Sequence, residues 1–234
     1  MNSIPIPPVD FLKEGFYVGD LYDFVDKDES IRLDSKINEL KTEIEKDRES
    51  ILQCRYDYYD PDITSERYKS PILYNEIEGR DSYIKENNLR VTQQWYEIHP
   101  GGGLSTYHFQ YIQDLCTKII NTFYPEIEIN PIWGAFTLYE DGHFIEHHRD
   151  GFNEGRLCVI IIYFSKESEW NDGGGELVLT STSGETYEIK PFIGNFCLLD
   201  FSKNNVVHEV KKVKNGFKRY AYISFISIKK DLIQ

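Results

Sequence analysis

Residues 156–164 read RLCVIIIYF. From Leu157 to Ile162 every side chain is apolar, and three isoleucines stand in a row. An apolar run this short, rich in β-branched residues, reads as a strand covered on both faces. Runs of similar length surround it: IWGAFTLY at 132–139, GELVLTS at 175–181, ETYEIK at 185–190, GNFCLLDF at 194–201, VVHEV at 206–210 and RYAYISFI at 219–226. Turn residues separate them and no helical period intervenes. This texture predicts a mainly β fold, a double-stranded β-helix (jelly roll) or a related sandwich or barrel, with flanking helices.

The helices are expected ahead of the strands. In IRLDSKINELKTEIEKDRESIL, residues 31–52, Ile37, Leu40, Ile44 and Ile51 fall on one helical face with charged residues on the others. In STYHFQYIQDLCTKIINTFYPE, residues 105–126, Phe109, Ile112, Leu115, Cys116, Ile119, Ile120 and Phe123 make an apolar stripe that stops before Pro125. Between the two, residues 54–81 mix Pro, Asp, Tyr and Gly without a period and read as irregular structure or a loop. The expected organisation is an acidic extension over 1–90, helical and irregular, packing on a jelly-roll domain over 91–234 whose core is 131–228.

Composition narrows the function. With 40% hydrophobic residues in 234, the chain can bury a full core. No basic leader with an apolar core opens the sequence and no run is long enough to span a bilayer, so the expectation is a cytoplasmic protein with no membrane partner. The four cysteines lack C-x-x-C spacing and read as reduced thiols. A formal net charge of −13 repels phosphate backbones and counts against nucleic acid as a partner.

The chemistry is concentrated in GHFIEHHRDG, residues 142–151. Of its histidines only His148 has a carboxylate two residues on, at Asp150. In extended chain, residues i and i+2 point to the same side, so imidazole and carboxylate can converge on one ion. A third ligand is available in His208, on the run VVHEV. Two histidines and a carboxylate on one face of an octahedral ion leave three positions open, the arrangement of non-haem Fe(II) oxygenases, although a zinc hydrolase uses the same residue types. Arg219 opens the last strand, sharing a face with Ala221, Ile223 and Phe225, while Lys218 points the other way. A guanidinium on the site face needs an anion, and a metal-bound dicarboxylate supplies one through two parallel hydrogen bonds. His143 and His147 read as surface or rim groups, and His99 and His108 as structural. Gly101–Gly103 lack the lysine of a phosphate loop. Trp170 reads as a packing anchor for the loop before GGEL.

From Tyr139 to Phe225 the sequence resembles the iron(II)/2-oxoglutarate dioxygenase superfamily, in particular its prolyl 4-hydroxylase-like branch. Tyr139, Gly142, Phe144, His148 and Asp150 resemble the pattern Y-x-x-G-x-F-x-x-x-H-x-D. Tyr163, the GGEL turn, His208 and Arg219 follow in the family's order. The resemblance implies Fe(II) on His148, Asp150 and His208. It implies 2-oxoglutarate with its far carboxylate on Arg219 and Tyr163 and in contact with Tyr139. O2 is the second cosubstrate, and ascorbate is admitted as an accessory. The implied reaction hydroxylates a C–H bond with release of succinate and CO2. Branch resemblance puts a prolyl residue of a protein or peptide first as substrate, with another amino-acid residue or a small metabolite as the alternative. A β-barrel binding module is the non-enzymatic alternative, and it requires a missing ligand. The paired-arginine motif of the superfamily's nucleic-acid demethylases is absent from KNGFKRYAYISF.

Overall fold

A computed structural model describes residues 15–46, 53–59, 72–73, 90–98, 106–150, 156–181, 183–201 and 206–228. Twelve strands and two α-helices are placed among them. The strands are β1 (Phe16–Asp20), β2 (Gln53–Tyr59), β3 (Ile72–Leu73), β4 (Arg90–Ile98), β5 (Ile129–Tyr139), β6 (Phe144–His148), β7 (Arg156–Tyr163), β8 (Leu177–Thr180), β9 (Thr186–Ile189), β10 (Asn195–Asp200), β11 (Val207–Val210) and β12 (Arg219–Ile228). The helices are α1 (Lys27–Lys46) and α2 (Thr106–Phe123). The strands join antiparallel in the order β1-β10-β7-β12-β5-β4-β6-β11-β8-β9, with β2 on β4 and β3 on β2, and the sheet does not close among the described residues. The fold is the mainly β jelly roll expected.

Strand alternation sorts the apolar residues into two cores. Along β7, Cys158, Ile160 and Ile162 face one way, with Leu198 of β10 and Tyr220 and Tyr222 of β12, and meet the helices. Leu33, Ile37, Leu40 and Ile44 of α1, and the whole predicted stripe of α2, are buried in that layer. Val159, Ile161 and Tyr163 face the other way, with Cys197 and Leu199 of β10 and Ala221 of β12. There they pack on Leu177 and Leu179 of β8, Ile189 of β9 and Val210 of β11. The run β6-β11-β8-β9 therefore folds over the larger run, with the second core between them. Residues 157–163 are buried throughout, so β7 is covered on both faces as its composition predicts.

Ile160 sits between Leu198 of β10 and Ser224 of β12 and is fully buried. Ile160→Ala deletes methylenes from a packed site and is expected to cost about 2–5 kcal/mol, read from denaturant unfolding. A loss below about 1 kcal/mol would place the residue outside the close-packed core.

Three features differ from expectation. Gln53–Tyr59, inside the stretch read as irregular, is a strand paired to β4 and β3. Its tyrosines are good strand formers, and Asp57 among them hid a pairing that only partner strands reveal. Phe16–Asp20 and Arg90–Ile98, which show no striking local pattern, are also strands. Helix α1 starts one turn earlier than its stripe suggests, because the Asp26 carboxylate accepts the Glu29 N–H at 2.8 Å as an N-cap. Ile51, His99 and Gly101–Gly103 lie outside the described residues. No helix among the described residues is long and apolar enough to cross a membrane.

Candidate metal centre

Strand β6 ends at His148, and β11 runs antiparallel beside it with His208 directly opposite His148. Cross-strand partners project from the same face, so the register alone brings the imidazoles together. Their ring centroids are 4.2 Å apart. Asp150, just past the end of β6, faces both rings, with Oδ1 3.7 Å from His148 Nε2 and Oδ2 3.6 Å from His208 Nε2. One ligand atom from each residue lies within 4.8 Å of the others.

The opposite ring nitrogens decide which one is free. His148 Nδ1 lies 2.9 Å from the Glu146 carbonyl and His208 Nδ1 3.0 Å from that of Val206. A carbonyl only accepts, so each Nδ1 carries the hydrogen and each Nε2 lone pair is directed toward Asp150. Burial, then the neighbouring His208, hold the His148 pKa below the ordinary histidine value, against the pull of Asp150. The neutral form is the one that ligates a cation.

On the next strand the register places Arg219 opposite Tyr139 of β5, while Ala221, two residues on, pairs with Tyr163 of β7. All three side chains therefore share the inner face. The guanidinium carbon lies 4.6 Å from the Tyr139 ring centre and 5.1 Å from that of Tyr163. Arg219 is 1% exposed. Its Nε–H donates to the Gly175 carbonyl at 2.8 Å. Nη1 and the Tyr163 hydroxyl are both buried with no hydrogen-bond partner among the described residues. Burial raises the Tyr163 phenol above its usual range, with the arginine charge opposing, so it is a neutral donor. Lys218 points outward, its Nζ 2.8 Å from Glu45 of α1 and 3.8 Å from Glu140. Between adjacent cations, strand parity thus selects Arg219 for the interior.

A buried cation and a buried phenol with unused donors are costly unless an anion completes them. A dicarboxylate reaching from the three-ligand cluster would do so. The residues present therefore fit both a divalent ion and a carboxylate cosubstrate.

Other residues fall differently. His147 is exposed and meets Glu209 at 2.9 Å, as a rim group should. His143, expected at the rim, is buried: its Nδ1 accepts the Glu140 N–H at 3.2 Å and its ring packs edge-on against Tyr96. The tight turn between β5 and β6 folds it inward. His108 is structural, bridging α2 to Glu43 of α1 at 3.0 Å. Trp170 anchors its loop by donating to the Gly174 carbonyl at 3.1 Å. Two features have little or no signature in the sequence. Glu97 is buried opposite Thr137, on the side of β5 that carries Tyr139, a face visible only once β4 is recognised as a strand. The Gly175 carbonyl, a backbone atom, was signalled only by the glycine run at 173–175.

Residues 134–227 match the model of the 2OG-Fe(II) oxygenase superfamily. Over that span, less than half of the chain, the sequence is similar to that superfamily. The chain shares its fold with a Pseudomonas putida prolyl-4-hydroxylase at 18% identity and TM-score 0.55, covering 93% of this chain and 95% of the other. A Trichoplax adhaerens prolyl hydroxylase in complex with a hypoxia inducible factor peptide fragment gives 18% identity and TM-score 0.60, over 95% and 87%. The α-ketoglutarate-dependent epimerase SnoN of nogalamycin biosynthesis gives 8% identity and TM-score 0.59, over 93% and 79%. A search of curated proteins by sequence finds no match. The superfamily whose model matches implies Fe(II), 2-oxoglutarate and O2, and the His148, Asp150 and His208 cluster fits the metal.

Proposed function

We propose that this oxygenase hydroxylates a prolyl residue of a protein or peptide, with His148, Asp150 and His208 holding Fe(II) and Arg219 and Tyr163 holding 2-oxoglutarate. The observation that carries the reading is the pairing of a three-ligand cluster with a buried guanidinium whose Nη1, and a buried phenol whose hydroxyl, are unused among the described residues. Fe(II) supplies the oxidising chemistry when bound: with O2 and 2-oxoglutarate, the cosubstrate becomes succinate and CO2 while oxygen enters a substrate C–H bond.

The protein's residues do the rest. The Glu146 and Val206 carbonyls hold the imidazoles in one tautomer and orientation. Arg219 Nη1 and the Tyr163 hydroxyl donate to the far carboxylate, and the Tyr139 ring walls the guanidinium. Arg219 and Tyr163 are sealed from water, whereas the His148 and Asp150 side chains keep 19% and 20% of their surface exposed. The cosubstrate end is dry and the ligand cluster opens outward, so substrate enters from the Asp150 side. The division at residue 90 into an extension and a catalytic domain belongs to the same proposal.

The prolyl assignment is supported by the presence of prolyl hydroxylases among the structural neighbours and by the branch resemblance of the motifs. The likeness to an epimerase keeps small metabolites as the second reading. Incubation with Fe(II), 2-oxoglutarate, ascorbate and O2 should oxygenate proline in a panel of proline-containing peptides, with one succinate formed per oxygen atom gained in mass spectrometry. Succinate coupled instead to oxidation of another residue, or of a free metabolite, would replace the prolyl assignment while leaving the oxygenase intact.

A further inference from the structure

We infer that Gly175 is a positioning residue for 2-oxoglutarate, acting through its carbonyl oxygen on Arg219; the inference rests on the cosubstrate reading above. Arginine has several rotatable bonds, so burial alone does not say which edge of the guanidinium meets the ligand. Here the Nε–H is taken up by the Gly175 carbonyl at 2.8 Å. With Nε committed and the plane held between the rings of Tyr139 and Tyr163, Nη1 is left as the unused donor. The acceptor therefore selects the edge presented to the carboxylate.

The backbone around Gly175 is built to hold that carbonyl. Gly174 and Gly175 have φ of +67° and +77°, a region that side-chain-bearing residues rarely adopt. The Gly175 N–H donates to the Lys211 carbonyl at 3.2 Å, and the Lys211 N–H returns to the Glu176 carbonyl at 2.9 Å. The Lys214 N–H donates to the Gly173 carbonyl at 2.7 Å. The glycine turn is thus laced to the segment that joins His208 to Arg219. A Cβ on Gly175 would stand 3.1 Å from Arg219 Cδ and 3.1 Å from Val213 Cγ2, tighter than ordinary packing. The residue thus stands against both the arginine stem and its Nε. Gly173 has a different duty: a Cβ there would meet the Phe217 side chain at 2.5 Å.

The test compares Gly175→Ala with Gly184→Ala. Gly184, in the turn between β8 and β9, has φ +86° and open space around it, so it bears similar backbone strain without touching Arg219. Binding of Fe(II), and then of 2-oxoglutarate to the Fe(II)-loaded protein, is measured anaerobically by calorimetry. Gly175→Ala should weaken 2-oxoglutarate about tenfold with Fe(II) affinity unchanged, and Gly184→Ala should change neither. In an Arg219→Lys background, which lacks the Nε–H, Gly175→Ala should add little, because coupled residues are not additive. Equal 2-oxoglutarate affinity in the two glycine variants would overturn the inference, as would a full tenfold effect retained in the lysine background. If Gly175→Ala does not fold, the inference stands or falls on Arg219→Lys. That variant keeps the charge and should still lose about tenfold; wild-type affinity would overturn it. Failure of the unaltered protein to bind 2-oxoglutarate would sink the cosubstrate reading instead.

Discussion

Asp150→Ala should lower Fe(II) affinity by more than about 100-fold, because even the loss of a partner outside the coordination sphere costs metal sites 10- to 100-fold. Asp150 contributes the charge of the donor set and faces both histidines, so its removal leaves two neutral imidazoles 4.2 Å apart with nothing to bridge them. His148→Ala and His208→Ala should fall in the same range. Turnover should disappear with the metal. The adjacent His147→Ala is the control: its side chain is exposed and engaged with Glu209, so iron should be retained. Calorimetric titration with Fe(II) under anaerobic conditions gives the answer. Wild-type affinity in Asp150→Ala would remove the residue from the site.

Arg219→Ala should raise the 2-oxoglutarate requirement about 10- to 100-fold and leave Fe(II) binding intact, since a charge-assisted pair is worth about 1.5–3 kcal/mol. The guanidinium faces a phenol and a ring rather than an acid, and its unused Nη1 has the bound carboxylate as its natural partner. The same logic gives a binding-linked readout. Added 2-oxoglutarate should raise the melting temperature of the iron-loaded wild type, because a ligand that binds only the folded state stabilises it, and should do so far less in the variant. An unchanged cosubstrate requirement would shift the role to another cation. Lys218 is a poor candidate, held outside by Glu45 and Glu140.

These lesions can be named because much of the site is written in local pattern. The His148-x-Asp150 spacing works since His148 ends β6 and Asp150, two residues on, faces the same pair of rings, and the choice of Arg219 over Lys218 follows from the two-residue period of a strand. The run from Leu157 to Ile162 declares a strand covered on both faces because no position in it tolerates water. What escaped the sequence depends on partners far away in the chain. Strand β2 exists through β4 and β3, and β1 through β10, and no feature of their own residues announces those partners. His143 is buried because a turn folds it against Tyr96, which its exposed-looking neighbours do not hint at. The Gly175 carbonyl is a backbone acceptor, and every residue has one; only the fold says which one meets an arginine.

The pairing of His148 with His208 has a consequence for how the chain is made. The two residues are neighbours across β6 and β11, yet β7, β8, β9 and β10 all lie between them in sequence. An ion held by both is a crosslink that fastens the ends of a long loop, and crosslinks of that kind take most freedom away from the unfolded chain. It cannot form until the intervening strands have been synthesised and folded back. On the proposed assignment, iron loading would therefore be a late step in maturation, and the metal would also bolt shut the seam between β6 and β11.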